Sequence, residues 1–362
     1  MAGLLTGLAA ATSAAPLDPL LTARPTEAGR GAPSPRLELE AGGDLANDQV
    51  DVLGLRRGSA YEGTGIGDYH GSHLKLTARH GPWQAELGGW QRRLRDRDNT
   101  HRIHSWQTAL QWRLDGADDG TASPGTAWAL RASAWGSRSG QLSRSTGADL
   151  QVEDLDAGMT ELRLHGQRDL QTQFDLIGSR DAFGLRWSGF VGGGRSRVRN
   201  DAVSASGIVG GCPYAFNFAP GKLVATPDAS CGDALIFVIP SHLMPYDAAA
   251  ETTWRARWMH AGGSLRWVGE QWTLALGYEF QQWQRNGIDA LITARGGTAY
   301  RRNHTLVGEV GWSPQPALRL LLRGQLMQHQ WLGELPMAYN TQTATHFAQR
   351  HGLVTAGVQL VY

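Results

Sequence analysis

Long apolar runs, methionine and cysteine are scarce in this chain. Its 362 residues include 6 methionines and 2 cysteines, and no stretch approaches the roughly 18 consecutive apolar residues a membrane-crossing helix needs. A spanning helix is therefore excluded, and two cysteines are too few for a disulfide scaffold. Charge of one sign is lacking as well. The 34 basic residues nearly cancel the 33 acidic ones, and no basic stripe runs along the chain, so it carries no nucleic-acid footprint. What is abundant is glycine (47) and tryptophan (14), a mixture that favours strands and turns over helix bundles. Mean hydropathy is slightly negative. That still permits a membrane barrel, because only alternate residues of each strand need face lipid.

From Arg36 onward the dominant pattern is period two, in segments of about 10 residues separated by turn residues. The clearest lies at 271–282, where Trp272, Leu274, Leu276, Tyr278 and Phe280 alternate with Thr273, Ala275, Gly277, Glu279 and Gln281. Twelve strands are predicted, near 36–43, 71–79, 83–95, 101–114, 127–138, 168–179, 183–197, 251–268, 271–286, 299–313, 316–331 and 346–362. Very short connections at 80–82, 180–182, 269–270 and 314–315 alternate with long ones at 44–70, 139–167, 198–250, 287–298 and 332–345. A soluble sandwich has no reason to alternate this way, whereas a membrane barrel has tight turns at one end and large loops at the other. Segment 115–126 is the longer member of the short set, and Thr160–His165 could add a strand, so a count of 14 stays open.

The final segment is Leu353-Val-Thr-Ala-Gly-Val-Gln-Leu-Val-Tyr362, with Val354, Ala356, Val358, Leu360 and Tyr362 on one face. It resembles the C-terminal strand signal of Gram-negative outer-membrane β-barrel proteins. The resemblance implies an all-β, up-and-down antiparallel transmembrane barrel in the cell outer membrane. It also implies as partners the barrel-assembly machinery, which would read Tyr362, Leu360 and Val358, together with outer-membrane lipids and lipopolysaccharide. Residues 1–15, a small-residue apolar run ending Ser13-Ala14-Ala15 before Pro16, read as a signal peptide lacking its basic start. Residues 16–35, with five prolines, read as an extended periplasmic linker, leaving 36–362 for the barrel.

Strand parity divides the tryptophans. Trp83, Trp106, Trp112, Trp128, Trp187, Trp267, Trp272 and Trp312 take the lipid-facing parity, mostly near short turns, as an interfacial girdle would. Trp90, Trp135, Trp254, Trp258, Trp283 and Trp331 take the inward parity toward the long loops. The second set is either a stacking platform for a sugar or planar solute or the packing surface for a loop folded into the mouth. Deeper inward positions mix seven cations (Lys75, Arg113, Arg131, Arg186, Arg266, Arg319, Arg323) with six carboxylates (Glu38, Glu40, Glu86, Asp175, Glu279, Glu309). That near-neutral lining suits a narrow lumen that ion pairs could occlude.

Cys212 and Cys231 share the longest loop, 198–250, which reads as extracellular, and an even count in an exported chain predicts one disulfide. No histidines flank them at ligand spacing, so a metal site is not expected. The apolar run Ala234–Ile239 beyond them needs cover, and the inward indoles are its expected partner, making the loop a lid. No motif calls for a cofactor: Gly63-Thr-Gly-Ile-Gly67 lacks the strand-to-helix context of a phosphate cradle. Tyr69-His70-Gly71-Ser72 resembles the His-x-Ser pair of outer-membrane phospholipases and lipid A deacylases, without the longer motif around it. Three readings follow. The first is a narrow channel or binding site for a small solute, using Trp90, Trp135, Trp258, Trp283, Trp331, Arg319, Arg323, Glu279 and Glu309. The second is a lipid hydrolase at His70 and Ser72, and the third a non-conducting structural or adhesive barrel. Under all three, unboiled protein should migrate faster than boiled protein in a detergent gel; migration indifferent to boiling would overturn the barrel.

Overall fold

The computed structural model describes residues 35–46, 69–96, 99–114, 126–152, 155–219, 221–231, 236–240, 248–329, 336–341, 344 and 351–362. The expected signal peptide and nearly all of the expected linker lie outside these residues, as does Trp331.

Sixteen strands follow in chain order. They are β1 (Arg36–Ala46), β2 (Tyr69–His80), β3 (Trp83–Asp96), β4 (Asn99–Arg113), β5 (Ala127–Val152), β6 (Leu155–Ala182), β7 (Leu185–Arg199) and β8 (Ala202–Val209). The rest are β9 (Cys212–Ala219), β10 (Lys222–Pro227), β11 (Phe237–Pro240), β12 (Trp254–Val268), β13 (Trp272–Asn286), β14 (Arg302–Gln315), β15 (Leu318–Met327) and β16 (His351–Val361). Twelve of them, β1–β7 and β12–β16, close into an antiparallel barrel. Each pairs with its sequence neighbour; closure comes from β1 against β16, and β7 bridges to β12 across the intervening strands. A one-residue slip of register would turn the apolar faces inward, and no such slip occurs: the exposed set includes Leu87, Leu110, Leu130, Phe174, Leu274, Leu322 and Val358.

All eight tryptophans of the lipid-facing parity are exposed. Register places Trp83 opposite Trp112 and Trp272 opposite Trp312, and both pairs stack, with ring centroids 5.8 and 6.1 Å apart. Most lie at the strand ends joined by short turns, including the turns at 81–82, 183–184 and 316–317. This is the short-turn end of the barrel. One connection departs from the expected alternation: β3 and β4 are paired as far as Asp96 and Asn99, so the link at the long-loop end is short there.

The other differences concern segments expected to be loops. Residues 139–167 continue β5 and β6 as a ladder reaching beyond the barrel. Thr160–His165 thus belongs to the outer part of β6, and the count of 14 falls away. From 202 to 240 the chain forms β8–β11, a sheet added to that outer part of β6. Gly166 marks the switch: residues 168–182 pair with β7, residues 157–165 with β8. Its positive φ of 58° and its closeness to Asp201, where a Cβ would collide, suit glycine alone. Alternation inside a segment is legible locally, but whether a strand continues past the membrane depends on finding a partner there, here β8.

Cys212 and Cys231 form a disulfide with a sequence separation of 19. It ties the start of β9 to the turn after β10, outside the barrel. Breaking it with Cys212→Ser should cost the outer sheet about 3 kcal/mol of loop constraint. Limited proteolysis should then cut within 200–240 sooner while heat-modifiable migration is unchanged; loss of that migration would show that the barrel itself depends on the bond.

Candidate functional site in the lumen and outer mouth

The lumen near the short-turn end is built from charged pairs. Arg131 on β5 grips Glu86 on β3 at 2.7 and 3.0 Å, and Lys75 on β2 reaches the same carboxylate at 2.9 Å. Glu38 takes Arg79 and, at 2.8 Å, the Gln359 amide across the closing seam. Glu309 takes Arg319 and Arg323, each at 2.8 Å. Arg319 also donates to Thr273 at 2.6 Å. Glu86 and Arg131 are 2% and 1% exposed, which means that side chains, rather than a water column, fill this cross-section. Lys75, Arg79, Arg319 and Arg323 meet carboxylates of adjacent strands, where inward residues lie in register, and Arg131 reaches across β4 to Glu86.

Above this layer sit two carboxylate–imidazole–carboxylate clusters that parity reasoning overlooked. His260 on β12 lies 2.6 Å from Asp175 on β6 and 2.7 Å from Glu279 on β13. His73 on β2 lies 3.3 Å from Glu40 and 3.5 Å from Asp44, both on β1. His260 shares its parity with Trp258, and His73 with Lys75, so both were identifiable as inward; the pairing came only with the register. A run of small residues makes the room. At Gly192 a Cβ would strike Asp175, and at Gly194 it would strike the Trp258 ring.

At the outer mouth the inward indoles gather. Trp258 and Trp283 stack at 4.7 Å between centroids, and Trp135 meets Trp258 edge-on at 5.7 Å. Arg285, also overlooked in the sequence, lies over Trp283 at 5.1 Å, Trp254 at 5.6 Å and Tyr339 at 4.2 Å. Tyr339 belongs to a segment between β15 and β16 that folds into the mouth. Met337 accepts from the Gln167 amide at 2.8 Å and donates its N–H to Asp169 at 3.2 Å. The Tyr339 carbonyl accepts the Trp254 indole N–H at 2.8 Å, and its hydroxyl accepts the Tyr300 N–H at 3.1 Å. Burial pushes the Tyr339 phenol up to about 12, so it stays neutral. A short helix, α1 (Ala248–Thr252), holds Thr341 through Glu251 at 2.6 Å. Another, α2 (Ile288–Ala294), buries Ile288 and Ile292 beside it.

The structure therefore groups Trp135, Trp258 and Trp283 at the mouth. Trp90 is buried as well, and Glu279 sits below them with His260. Arg319 and Arg323 are not brought to the indoles; they stand toward the opposite end, with Arg319 one residue from the start of β15. Residues 336–341 lie in the mouth, and the disulfide loop adds to the same buried cluster: Tyr214, Phe216 and Leu223 belong to it with Trp135 and Trp258, and Phe237 and Ile239 pack against it. His70 and Ser72 are both exposed on the outer face of β2. Tyr362 stands beside Leu37, and Leu360 and Val358 pair with β1 and β15.

No protein-family model matches the chain, and no curated protein matches it in sequence. Among solved structures it is similar to the translocator domain of the autotransporter NalP from Neisseria meningitidis: 12% identity, 91% of this chain and 88% of that one, TM-score 0.47. It is also similar to the P. putida toluene transporter TodX, at 10% identity, 95% and 91% coverage and TM-score 0.38. An anion-selective porin from Comamonas acidovorans covers 91% of this chain and 99% of its own, at 8% identity and TM-score 0.31.

Glu86→Gln would leave Arg131 and Lys75 buried without their carboxylate. The expected loss is about 3–5 kcal/mol, read from the urea midpoint of refolded barrel. Asp181→Asn, which removes an exposed partner of Arg186, should cost under about 1 kcal/mol. Equal effects would refute the view that the lumen pairs hold the barrel closed.

Proposed function

We propose that this chain sits in the outer membrane and passes or binds a small solute at its outer mouth, with residues 336–341 as the movable closure. The observation that carries this reading is a pair of buried indole N–H groups. Trp135 and Trp258 are each 3% exposed, and among the described residues neither indole nitrogen has a hydrogen-bond acceptor. Leaving such a donor buried and unmet costs about 1–3 kcal/mol, a penalty a solute carrying acceptor oxygens would relieve. The stacked faces of Trp258 and Trp283 suit a planar or sugar ring, and Arg285 adds a cation at the rim. Tyr339 already places one ring on this cation. A solute must therefore displace the segment that carries Tyr339, whose hydrogen bonds run to Gln167, Asp169, Trp254, Tyr300 and Glu251.

Below the mouth the paired charges leave a narrow, closed lumen, so conduction requires rearrangement there too. In planar bilayers the intact protein should open rarely, and deletion of residues 336–341 should raise the opening frequency. Tyr339→Ala should do the same to a smaller extent. Absence of openings in all three proteins would sink the channel reading, and unchanged tryptophan fluorescence on titration with sugars and planar aromatic acids would sink the binding reading.

A further inference from the structure

Outward-facing tryptophan and arginine recur at one spacing around the barrel. The pairs are Trp83 and Arg93 on β3, Trp112 and Arg102 on β4, and Trp128 and Arg138 on β5. They continue as Trp187 and Arg197 on β7, Trp267 and Arg257 on β12, and Trp312 and Arg302 on β14. All twelve side chains are exposed, and each pair is 10 residues apart. Ten residues of strand rise about 33 Å, which at a tilt of about 40° spans about 25 Å, the height of a barrel's apolar band. The tryptophans lie at one headgroup level, and the arginines consequently lie at the other, on the long-loop side.

Register sets these arginines against one another. Arg93 faces Arg102, Arg138 faces Arg168, Arg197 faces Arg255, and Arg195 faces Arg257, with His70 beside Arg93. Like charges directly opposite destabilise a ladder. Arg168 is matched by Asp201 at 2.6 Å, but among the described residues none of the other seven arginines in these pairs has a carboxylate at ion-pair distance. The row runs over the consecutive neighbours β3, β4, β5, β6, β7 and β12. Across the seam it stops: the residues in register with His70 there are Leu45 and then Val354, both exposed and apolar.

We propose that this one-sided row binds a phosphorylated glycolipid of the outer leaflet. Guanidinium pairs set across adjacent strands take its phosphates by bidentate hydrogen bonds, and its acyl chains lie on the apolar band below. A lone interfacial arginine would serve any phospholipid, whereas facing pairs on six adjacent strands match a headgroup bearing several anions. The surface is on the outside of the barrel and independent of any solute at the mouth.

The test uses the whole protein in phosphatidylcholine nanodiscs, with bis-phosphorylated lipid A, dephosphorylated lipid A and phosphatidylglycerol as probes. A variant carrying Arg93→Gln, Arg138→Gln, Arg197→Gln and Arg257→Gln is compared with one carrying lysine at the same four positions, both checked for heat-modifiable migration. Lipid A should bind the parent at least about tenfold tighter than the glutamine variant. The lysine variant, which keeps the charges but loses the bidentate fork, should bind lipid A more weakly than the parent and more tightly than the glutamine variant, and dephosphorylated lipid A should bind all three proteins equally weakly. Equal lipid A binding by parent and glutamine variant would overturn the proposal. Phosphatidylglycerol binding as tightly as lipid A would overturn it too, by showing a general anionic anchor.

Discussion

Hydrocarbon offers no partner to an exposed backbone N–H or C=O, so a sheet in the membrane must find its own far edge. Here that edge is β16 against β1. Leu37 and Tyr362 exchange backbone hydrogen bonds of 2.8 and 3.1 Å at the short-turn end, and the ladder runs up to Ala46 and Leu353. Once the circle closes, the direction of every side chain follows. Apolar residues go to lipid, and everything charged on the alternate positions is confined with its opposite number in a narrow space.

That confinement explains the lumen. In this narrow twelve-stranded lumen Glu86, Glu309 and Glu38 are met by arginines of nearby strands: Arg131 two strands away, and Arg323 and Arg79 on adjacent strands. The histidine clusters obey the same demand higher up. At the mouth the aromatic walls would be left exposed, and the chain covers them with its own Tyr339. On the outside the logic reverses. Arginines that are scattered in sequence and cancelled in the net charge are assembled into one continuous row by pairing alone.

Much of this was legible beforehand because its cause is local. Period-two alternation located all twelve barrel strands, and parity told the girdle indoles from the inward ones, since a strand's faces are set residue by residue. The outer sheet was not legible. The segments 139–167 and 202–240 alternate too, but turn-rich stretches without a lipid face look like loops until a partner strand is known. Arg285, Tyr339 and His260 escaped notice for a related reason: each owes its environment to residues far away in sequence, such as Asp175 for His260.

The sequence by itself determined the class of fold, the faces of the strands, the end that carries the short turns and the disulfide partners, because each of these rests on alternation, turn chemistry or simple counting. Tertiary structure alone decided which carboxylate meets which cation, which segment fills the mouth, and that the outward arginines stand opposite one another. Those outcomes depend on register between strands, and register is a property of pairs that no single strand contains.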